Sequence, residues 1–529
     1  MSHTILITDA VDPVCMEMLR EAGMEADVQL KQPPEVLRRH AARADGWIIR
    51  SGTRIGADLI EAAENLKVIG RAGVGVDNID VEAATRRGIL VINAPDGNTI
   101  STAEHTVAML LALARRIPQA NASLREGKWD RKSFQGSELY EKTLGIVGVG
   151  KIGRAVAERM QGFGMTVLGY DPVLAPEVAG RLGITLVSLD EIFEKSDFIT
   201  FHTPLNEATR GMLDAGALAR CKRGVYIVNC ARGGIVDEAA LLAALEDGQV
   251  AGAALDVYSQ EPPPPALAGL IAHPRVVATP HIAASTEEAQ QKVARQVTEQ
   301  VIRALRGEPV TSAVNAMAIR MAAHQEVQPY LRLAEKLGLI AGQLAAAHLN
   351  RVVVRCHGDV PQRYAEVLKI AVLKGLLSCS QSGPVNLINA PVLAGELGLD
   401  VVAEVRSGRD SFTNLIEVAV ETDRTRREVA GAIFGADDPR LVRVDAFWFE
   451  VRAEGWLLFY RNVDRPGMLA SVGGALAEAG INIGALALGR TGKGAMALTA
   501  ISVDEAVPPE VLRRIAALEG VEDVHLIYV

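Results

Sequence analysis

Through roughly its first 95 residues the chain alternates short apolar runs with longer stretches of helical periodicity. Residues 4–8 (TILIT), 46–49 (GWII), 67–70 (KVIG) and 89–93 (ILVIN) are short, rich in β-branched residues and closed by polar or glycine residues, which predicts strands. Strands that alternate with helices predict βαβ units on a parallel sheet. The run 101–117, STAEHTVAMLLALARRI, is too continuously apolar for a solvated helix. It predicts a helix buried between layers or domains, with Ser101 and Glu104 as a capping box. A basic, aromatic loop follows at 127–139. A second alternating series predicts strands over 143–148, 166–170, 198–201, 226–229, 252–255 and 276–279. The stretch 286–305 predicts a long helix with Ser285 and Glu288 as its capping box, stopped by Gly307-Glu308-Pro309.

Beyond about residue 310 the texture changes. Residues 351–356 and 402–407 have the pattern of edge or antiparallel strands, with helices and the turn-rich segment 381–399 between them. From 456 onward the order is β, α, β, β, α, β, a split βαβ sandwich. The predicted class is therefore α/β: two Rossmann-like, doubly wound parallel-sheet domains, then an α+β domain and a small βαββαβ domain.

Composition narrows the function classes. The 529 residues are 49% hydrophobic, enough for several cores, and 49 glycines with few aromatics suit tightly wound α/β units. A net charge of -9 argues against nucleic acid as a partner, so any anion site must be built locally from a few Arg or Lys. The five cysteines (Cys15, Cys221, Cys230, Cys356 and Cys379) form no CxxC pair, so they are expected as buried thiols in a reducing compartment, and no metal site is predicted. The opening residues read as a first strand and not as a signal peptide. No charge-free run of ~18 apolar residues occurs, so no membrane span is expected and the location expected is cytoplasmic.

The sharpest motif is Gly148-Val149-Gly150-Lys151-Ile152-Gly153. It follows a predicted strand, opens a predicted helix, and is succeeded by a second strand ending in Asp171. That is the setting of a dinucleotide-binding turn. Gly148 permits the tight turn, Gly150 lets the backbone approach a pyrophosphate, and Gly153 lets helix and strand pack closely. Unpaired N–H groups at the helix start favour an anion. Asp171 is expected to accept hydrogen bonds from the adenosine ribose and to repel a 2′-phosphate, which predicts NAD over NADP. Three further segments follow strands: Asn229-Cys230-Ala231-Arg232-Gly233-Gly234, Asp256 to Pro263, and Thr279 to Ser285. Arg232 can clamp a carboxylate bidentately. His281 can exchange a hydroxyl proton during hydride transfer, with Glu261 as the carboxylate that orients it.

The segments GIVGVGKIG, NCARGGIVDEAAL, ALDVYSQEPPP and VVATPHIAAST resemble the signature segments of the D-isomer-specific 2-hydroxyacid dehydrogenase family. The resemblance implies that Arg232 orients substrate, Glu261 supports the histidine and His281 is the general acid/base. It places Thr203, Cys230 and Asp256 by the nicotinamide half of NAD, with Lys151, Ile152, Ala231, Ala283 and Ala284 also along the cofactor. It implies a discontinuous substrate domain (1–97 with 285–307), a cofactor domain (98–284), an intervening domain (310–452) and a terminal ACT domain (456–529). Helices near 101–117 and 286–305 would cross between the first two, with the active site in the cleft.

Within the family, RSGTR (50–54), GRAGVGVDNID (70–80) and NAPDGNTISTAEHT (93–106) resemble the branch that oxidises 3-phospho-D-glycerate with NAD at the entry to serine synthesis. That implies substrate contacts at Arg54, Gly73, Val74 through its backbone, and Asn98. Arg131 and Lys132 would reach the phosphate from a neighbouring subunit of a homo-oligomer, a tetramer in this family. Because the substrate is a multiple anion, Arg54, Arg71, Arg131 and Arg232 are its candidate cations. The stretch 462–490 resembles an ACT module, whose family pairs edge to edge and binds serine at the joint; Asn462, Asp464 and Asn482 are the candidate effector residues. Assembly without a ligand is the alternative for this tail. Two rival readings are an NADH-sensing binding protein on the same fold and a dehydrogenase for another acid, such as glyoxylate, hydroxypyruvate or erythronate 4-phosphate.

Overall fold

The computed structural model describes residues 3–322, 324–345, 348–381, 383–406, 412–423 and 425–529. Thr4–Ile7 pairs with Glu25–Val28 on one side and Gly46–Ile49 on the other, and Val68–Arg71 and Leu90–Asn93 complete a five-stranded parallel sheet. Glu25–Val28 carries no apolar run and is only half-buried at best, as an edge strand can be, so periodicity does not reveal it.

The second sheet has seven parallel strands, in the order Val276–Ala278, Val250–Leu255, Val225–Asn229, Phe198–Phe201, Thr143–Val147, Thr166–Tyr170 and Thr185–Leu186. Winding reverses at Thr143–Val147, whose chain successors lie first on one side and then on the other. Ligands bind outside the carboxyl ends of strands at such a switch point.

Two helices connect the sheets. Thr99–Arg115 buries Ala103, Val107, Leu110 and Leu113 against Leu144, Ile146 and Ala254 of the second sheet. Glu287–Leu305 buries Val293, Val297 and Val301 against Ile5, Ile48 and Val68 of the first. Each such valine contributes about 1.5–3 kcal/mol by burial. Gly70 makes the second contact feasible: a Cβ there would stand 2.6 Å from Val301 and 2.7 Å from Val297.

Both predicted capping boxes are corrected. The first helix begins at Thr99 behind Asn98, so Ser101 is already inside it; Ser101 shares a 2.8 Å hydrogen bond with Thr286, and Glu104 pairs with Arg159. The second is capped by Thr286, extended at φ -117°, whose hydroxyl accepts from the Ala289 N–H. The cap thus falls one residue later than the spacing of Ser285 and Glu288 implied.

After Gly307 the chain returns along the last strand of the first sheet, where Ala313 bridges Ile92 and the Asn315 side chain accepts from the Val91 N–H. A six-stranded mixed sheet follows. Leu349–His357 lies inside it, parallel to the edge strand Asp400–Arg406, and four antiparallel strands complete it: Leu415–Thr422, Arg426–Phe434, Asp438–Val444 and Phe447–Arg452. Ser407, the end of one predicted strand, lies outside the described residues, as does Ser382 within the turn-rich segment. The last sheet is antiparallel, in the order Ile483–Arg490, Met496–Val503, Trp456–Val463 and Val521–Tyr528, with helices Met468–Glu478 and Pro509–Ala516 on one face. Its other face packs Leu457, Phe459, Leu498 and Ile527 into the core around helix Gln328–Ala345, so the last two units share one hydrophobic interior. Four cysteines are buried as expected, but Cys379 is exposed.

Candidate active site

The glycine turn has the geometry its three roles require. Gly148 adopts φ +93°, and a Cβ on it would lie 2.6 Å from the His202 carbonyl. A Cβ on Gly153 would lie 2.2 Å from the Gly148 carbonyl, so helix Lys151–Gln161 sits directly on the turn. Gly150, the N-cap, differs: nothing lies within 4 Å of its virtual Cβ and no side chain caps the helix. That open cradle, with unspent N–H groups, fits a pyrophosphate.

The rest of the crevice also fits a dinucleotide. The Thr203 hydroxyl and His202 Nδ1 are buried without a hydrogen-bond partner among the described residues, and buried polar atoms in that state call for a ligand or water. Burial pushes His202 down to about 4, so its imidazole is neutral. Asp171 accepts from the N–H groups of Val149, Val173 and Leu174. A carboxylate offers about four lone-pair sites, so these three bonds leave about one free to accept from a ligand hydroxyl. Lys151 is ion-paired with Asp96 across the cleft, and Ile152 is half-buried against the sheet core. Cys230 is buried beside Asp256; burial first, then that carboxylate, push its thiol up to about 12. It therefore stays protonated.

Arg232, Glu261 and His281 rise from the carboxyl ends of three adjacent parallel strands, Val225–Asn229, Val250–Leu255 and Val276–Ala278. His281 Nδ1 lies 2.6 Å from Glu261 Oε2. Burial alone would raise Glu261, but the His281 hydrogen bond and charge hold it below its ordinary value. With Nδ1 spent on the carboxylate, Nε2 is the nitrogen left for a proton. His281 has φ +53°, a left-handed conformation rare for a residue with a side chain. Its turn is held by Asp256, which is fully buried and accepts from the Ile282 N–H at 2.9 Å, the Ala283 N–H at 3.0 Å and the Thr279 hydroxyl at 2.6 Å. Burial raises Asp256, yet His105, Thr279 and Ile282 together keep it below its ordinary value. Ala284 accepts from the Gln290 side chain and Ala231 from Arg232 Nη1.

The opposite wall is cationic. Arg232 Nε reaches Asp77 across the cleft at 3.0 Å, and its Nη2 packs over Gly75, where a Cβ would come within 2.0 Å. Arg71 packs as closely over Gly73, at 1.7 Å from a virtual Cβ, and its Nε is buried without a partner among the described residues. Burial, with Arg232 and Arg50 nearby, lowers its guanidinium to about 10, so it remains charged. The Val74 carbonyl accepts from Asn93, and the Asn98 side-chain oxygen is buried without a partner among the described residues. Arg54 is exposed and makes no hydrogen bond or ion pair among the described residues. Arg131 and Lys132 are likewise exposed, on the loop after helix Ile117–Arg125, and no described contact joins their side chains to the cleft. Asp77, His105 and Thr279 lie in segments singled out from the sequence but received no role there, and His202 was not singled out; all four border the site. The one signal was His105, a histidine at the head of the apolar stretch of its helix.

In the terminal module Asn462 is buried and accepts from Thr499, and Asp464 accepts from Arg490 and the Gly494 N–H. Asn482 instead donates to Asp504. The register pairs Val463 with Met496 and Ile483 with Val503, so Asn482 lies at the other end of the sheet from Asn462 and Asp464. Eight-residue strands separate them by about 23 Å. The three residues do not converge within one chain.

An imidazole braced by a carboxylate, an arginine two strands away at the same end of the sheet and an open dinucleotide cradle suit removal of hydride from a carbon beside a carboxylate. The class is that of the NAD-dependent dehydrogenases of 2-hydroxy acids. Residues 107–283 match the model of the D-isomer specific 2-hydroxyacid dehydrogenase NAD binding domain, 326–445 that of the D-3-phosphoglycerate dehydrogenase intervening domain, and 456–520 that of the ACT domain. A D-3-phosphoglycerate dehydrogenase of Methanocaldococcus jannaschii is 42% identical over 524 residues, 99% of each chain. The human D-3-phosphoglycerate dehydrogenase is 43% identical over 488 residues, 90% of this chain and 91% of that one. Among solved structures, the D-lactate dehydrogenase from Aquifex aeolicus complexed with NAD and lactic acid superposes with a TM-score of 0.53 at 28% identity, covering 57% of this chain and 96% of that one. The chain belongs to the D-3-phosphoglycerate dehydrogenase family.

Proposed function

We propose that the protein oxidises 3-phospho-D-glycerate to 3-phosphohydroxypyruvate with NAD, the first committed step of L-serine biosynthesis. The observation that carries this is the 2.6 Å Glu261–His281 contact on the strand edge that also bears Arg232. NAD, when bound, takes the hydride from the substrate's hydroxyl-bearing carbon. The chain's own part is acid–base and electrostatic. His281 Nε2 receives the hydroxyl proton, and Glu261 stabilises the imidazolium through Nδ1. Arg232 Nη2 and the loop of Gly73 and Val74 hold the carboxylate, and Arg71 adds positive potential from below. Arg54 meets the phosphate, joined by Arg131 and Lys132 of a neighbouring copy.

The reading includes a cytoplasmic homo-oligomer, a tetramer. It is supported by the helix Ile117–Arg125, which buries no residue, and by Leu124 at 56% and Trp129 at 82% exposure. Five free cysteines suit a reducing compartment. No helix among the described residues is long and apolar enough to cross a membrane. An L-serine effector belongs to the same reading: two copies paired antiparallel along Ile483–Arg490 would bring Asn482 of one towards Asp464 of the other.

The test is NADH formation from 3-phospho-D-glycerate with a trap for the keto product, run beside NADP and unphosphorylated D-glycerate. Turnover confined to the phosphorylated acid with NAD is expected. Equal activity on unphosphorylated acids would sink the substrate assignment, and tight NADH binding without turnover would favour a sensor. L-serine titrated into the same assay is expected to inhibit; a flat response to millimolar serine would leave assembly as the tail's role.

A further inference from the structure

The left-handed turn at His281 points N–H groups inward, and a carboxylate collects them. An αL conformation crowds the Cβ of any residue but glycine against the neighbouring backbone and is costly to hold. Asp256 collects them: Oδ1 accepts from Ile282 N and Thr279 Oγ1, and Oδ2 from Ala283 N. A fourth donor comes from a different element. His105, on the connecting helix Thr99–Arg115, places Nε2 3.3 Å from Asp256 Oδ1 and 3.4 Å from Thr279 Oγ1. The single Thr279 hydroxyl proton is spent on Asp256 at 2.6 Å, so Thr279 Oγ1 can only accept from His105. That defines His105 as the Nε2–H donor to both. Met109, one turn further along the same helix face, lies 3.8 Å from Thr279 Oγ1 through its sulfur.

We propose that His105 is a positioning residue for the proton-transfer step: through Asp256 and Thr279 it braces the turn that aims His281, tying the base to the helix that starts at the domain crossing. The proposal rests on His281 being the acid/base group. The brace is side-chain-built and buried, with His105 only 18% and Asp256 0% exposed, so solvent does not replace a lost donor there. Leu at position 105 fills the space without the N–H. Gln places an Nε2–H donor at a similar reach and restores the bond.

The test compares His105→Leu, His105→Gln and His281→Ala as full-length proteins, with thermal midpoint, NADH affinity and steady-state constants for each. His105→Leu is expected to lower kcat about 10- to 100-fold, the cost of misplacing a catalytic group by up to about an ångström, with KM for the acid unchanged. His105→Gln is expected to recover most of that loss. In the His281→Ala background, His105→Leu is expected to change kcat no further, because the group it positions is gone. Wild-type kcat in His105→Leu would overturn the proposal. So would a Gln variant as slow as the Leu variant, or a loss that persists undiminished without His281. High turnover in His281→Ala alone would instead overturn the acid/base assignment, so the two failures are distinguishable.

Discussion

Two glycines of one turn offer a sharp contrast, because the structure gives them opposite reasons for lacking a side chain. Gly150 has φ -73° and open space within 4 Å of its virtual Cβ, so alanine fits there without strain. Alanine is a poorer N-cap than glycine by about 0.5–1 kcal/mol. It also restricts the unfolded chain, which returns about 0.4–1 kcal/mol. The two nearly cancel, and Gly150→Ala should unfold at close to the parent temperature. Its methyl group, however, occupies the cradle that the pyrophosphate needs. Losing one charge-assisted hydrogen bond there costs about 1.5–3 kcal/mol, a rise in NADH Kd of about ten- to a hundred-fold. Gly153→Ala is the reverse case. Its Cβ would stand 2.2 Å from the Gly148 carbonyl, where ordinary contact begins at 3.4 Å, so helix and turn must part. Overpacking of that kind costs about 1–3 kcal/mol, and stability and NADH affinity fall together. Calorimetry and NADH fluorescence titration read the two quantities separately. If Gly150→Ala binds NADH as tightly as the parent, or melts as early as Gly153→Ala, the cradle argument is wrong.

Other consequences are as direct. Arg232→Ala should raise KM for 3-phospho-D-glycerate about tenfold or more through loss of a charge-assisted contact; an unchanged KM would remove Arg232 from carboxylate binding. Asp171→Ala should narrow the preference for NAD over NADP in a steady-state comparison, and an unchanged ratio would count against its ribose role. Asp523 is held well below the ordinary carboxylate range, first by His525 and then against burial by Arg427, across the junction of the last two sheets. A depressed carboxylate stabilises above its unfolded pKa, about 3.9, and loses that contribution as pH falls through its folded value. Asp523→Asn should therefore be less stable than the parent near neutral pH, with the gap closing in strong acid; a gap independent of pH in denaturant titrations would contradict the assignment.

Much of this molecule is determined locally. Most strands of both wound sheets are short apolar runs whose character needs no tertiary context, and the glycine turn is dictated by φ and by close approach, both properties of glycine itself. Arg232, Glu261 and His281 were legible because each lies on the loop that follows a strand, and adjacency in a parallel sheet makes such loops converge. The half-buried edge strand Glu25–Val28 was not, for want of an apolar run, and the antiparallel strands between Leu415 and Arg452 went unassigned although apolar and charged positions alternate along them, the charged ones meeting in ion pairs such as Arg443–Glu417. Nor could spacing show that Ser101 would bond Thr286 instead of capping its helix, or that Asn482 would lie at the far end of the sheet from Asn462. Those outcomes depend on which element lies alongside. The brace of His105 on Asp256 is the clearest case: its two residues stand 151 positions apart, and only the packing of one helix on the second sheet brings an imidazole N–H to a carboxylate that water cannot reach.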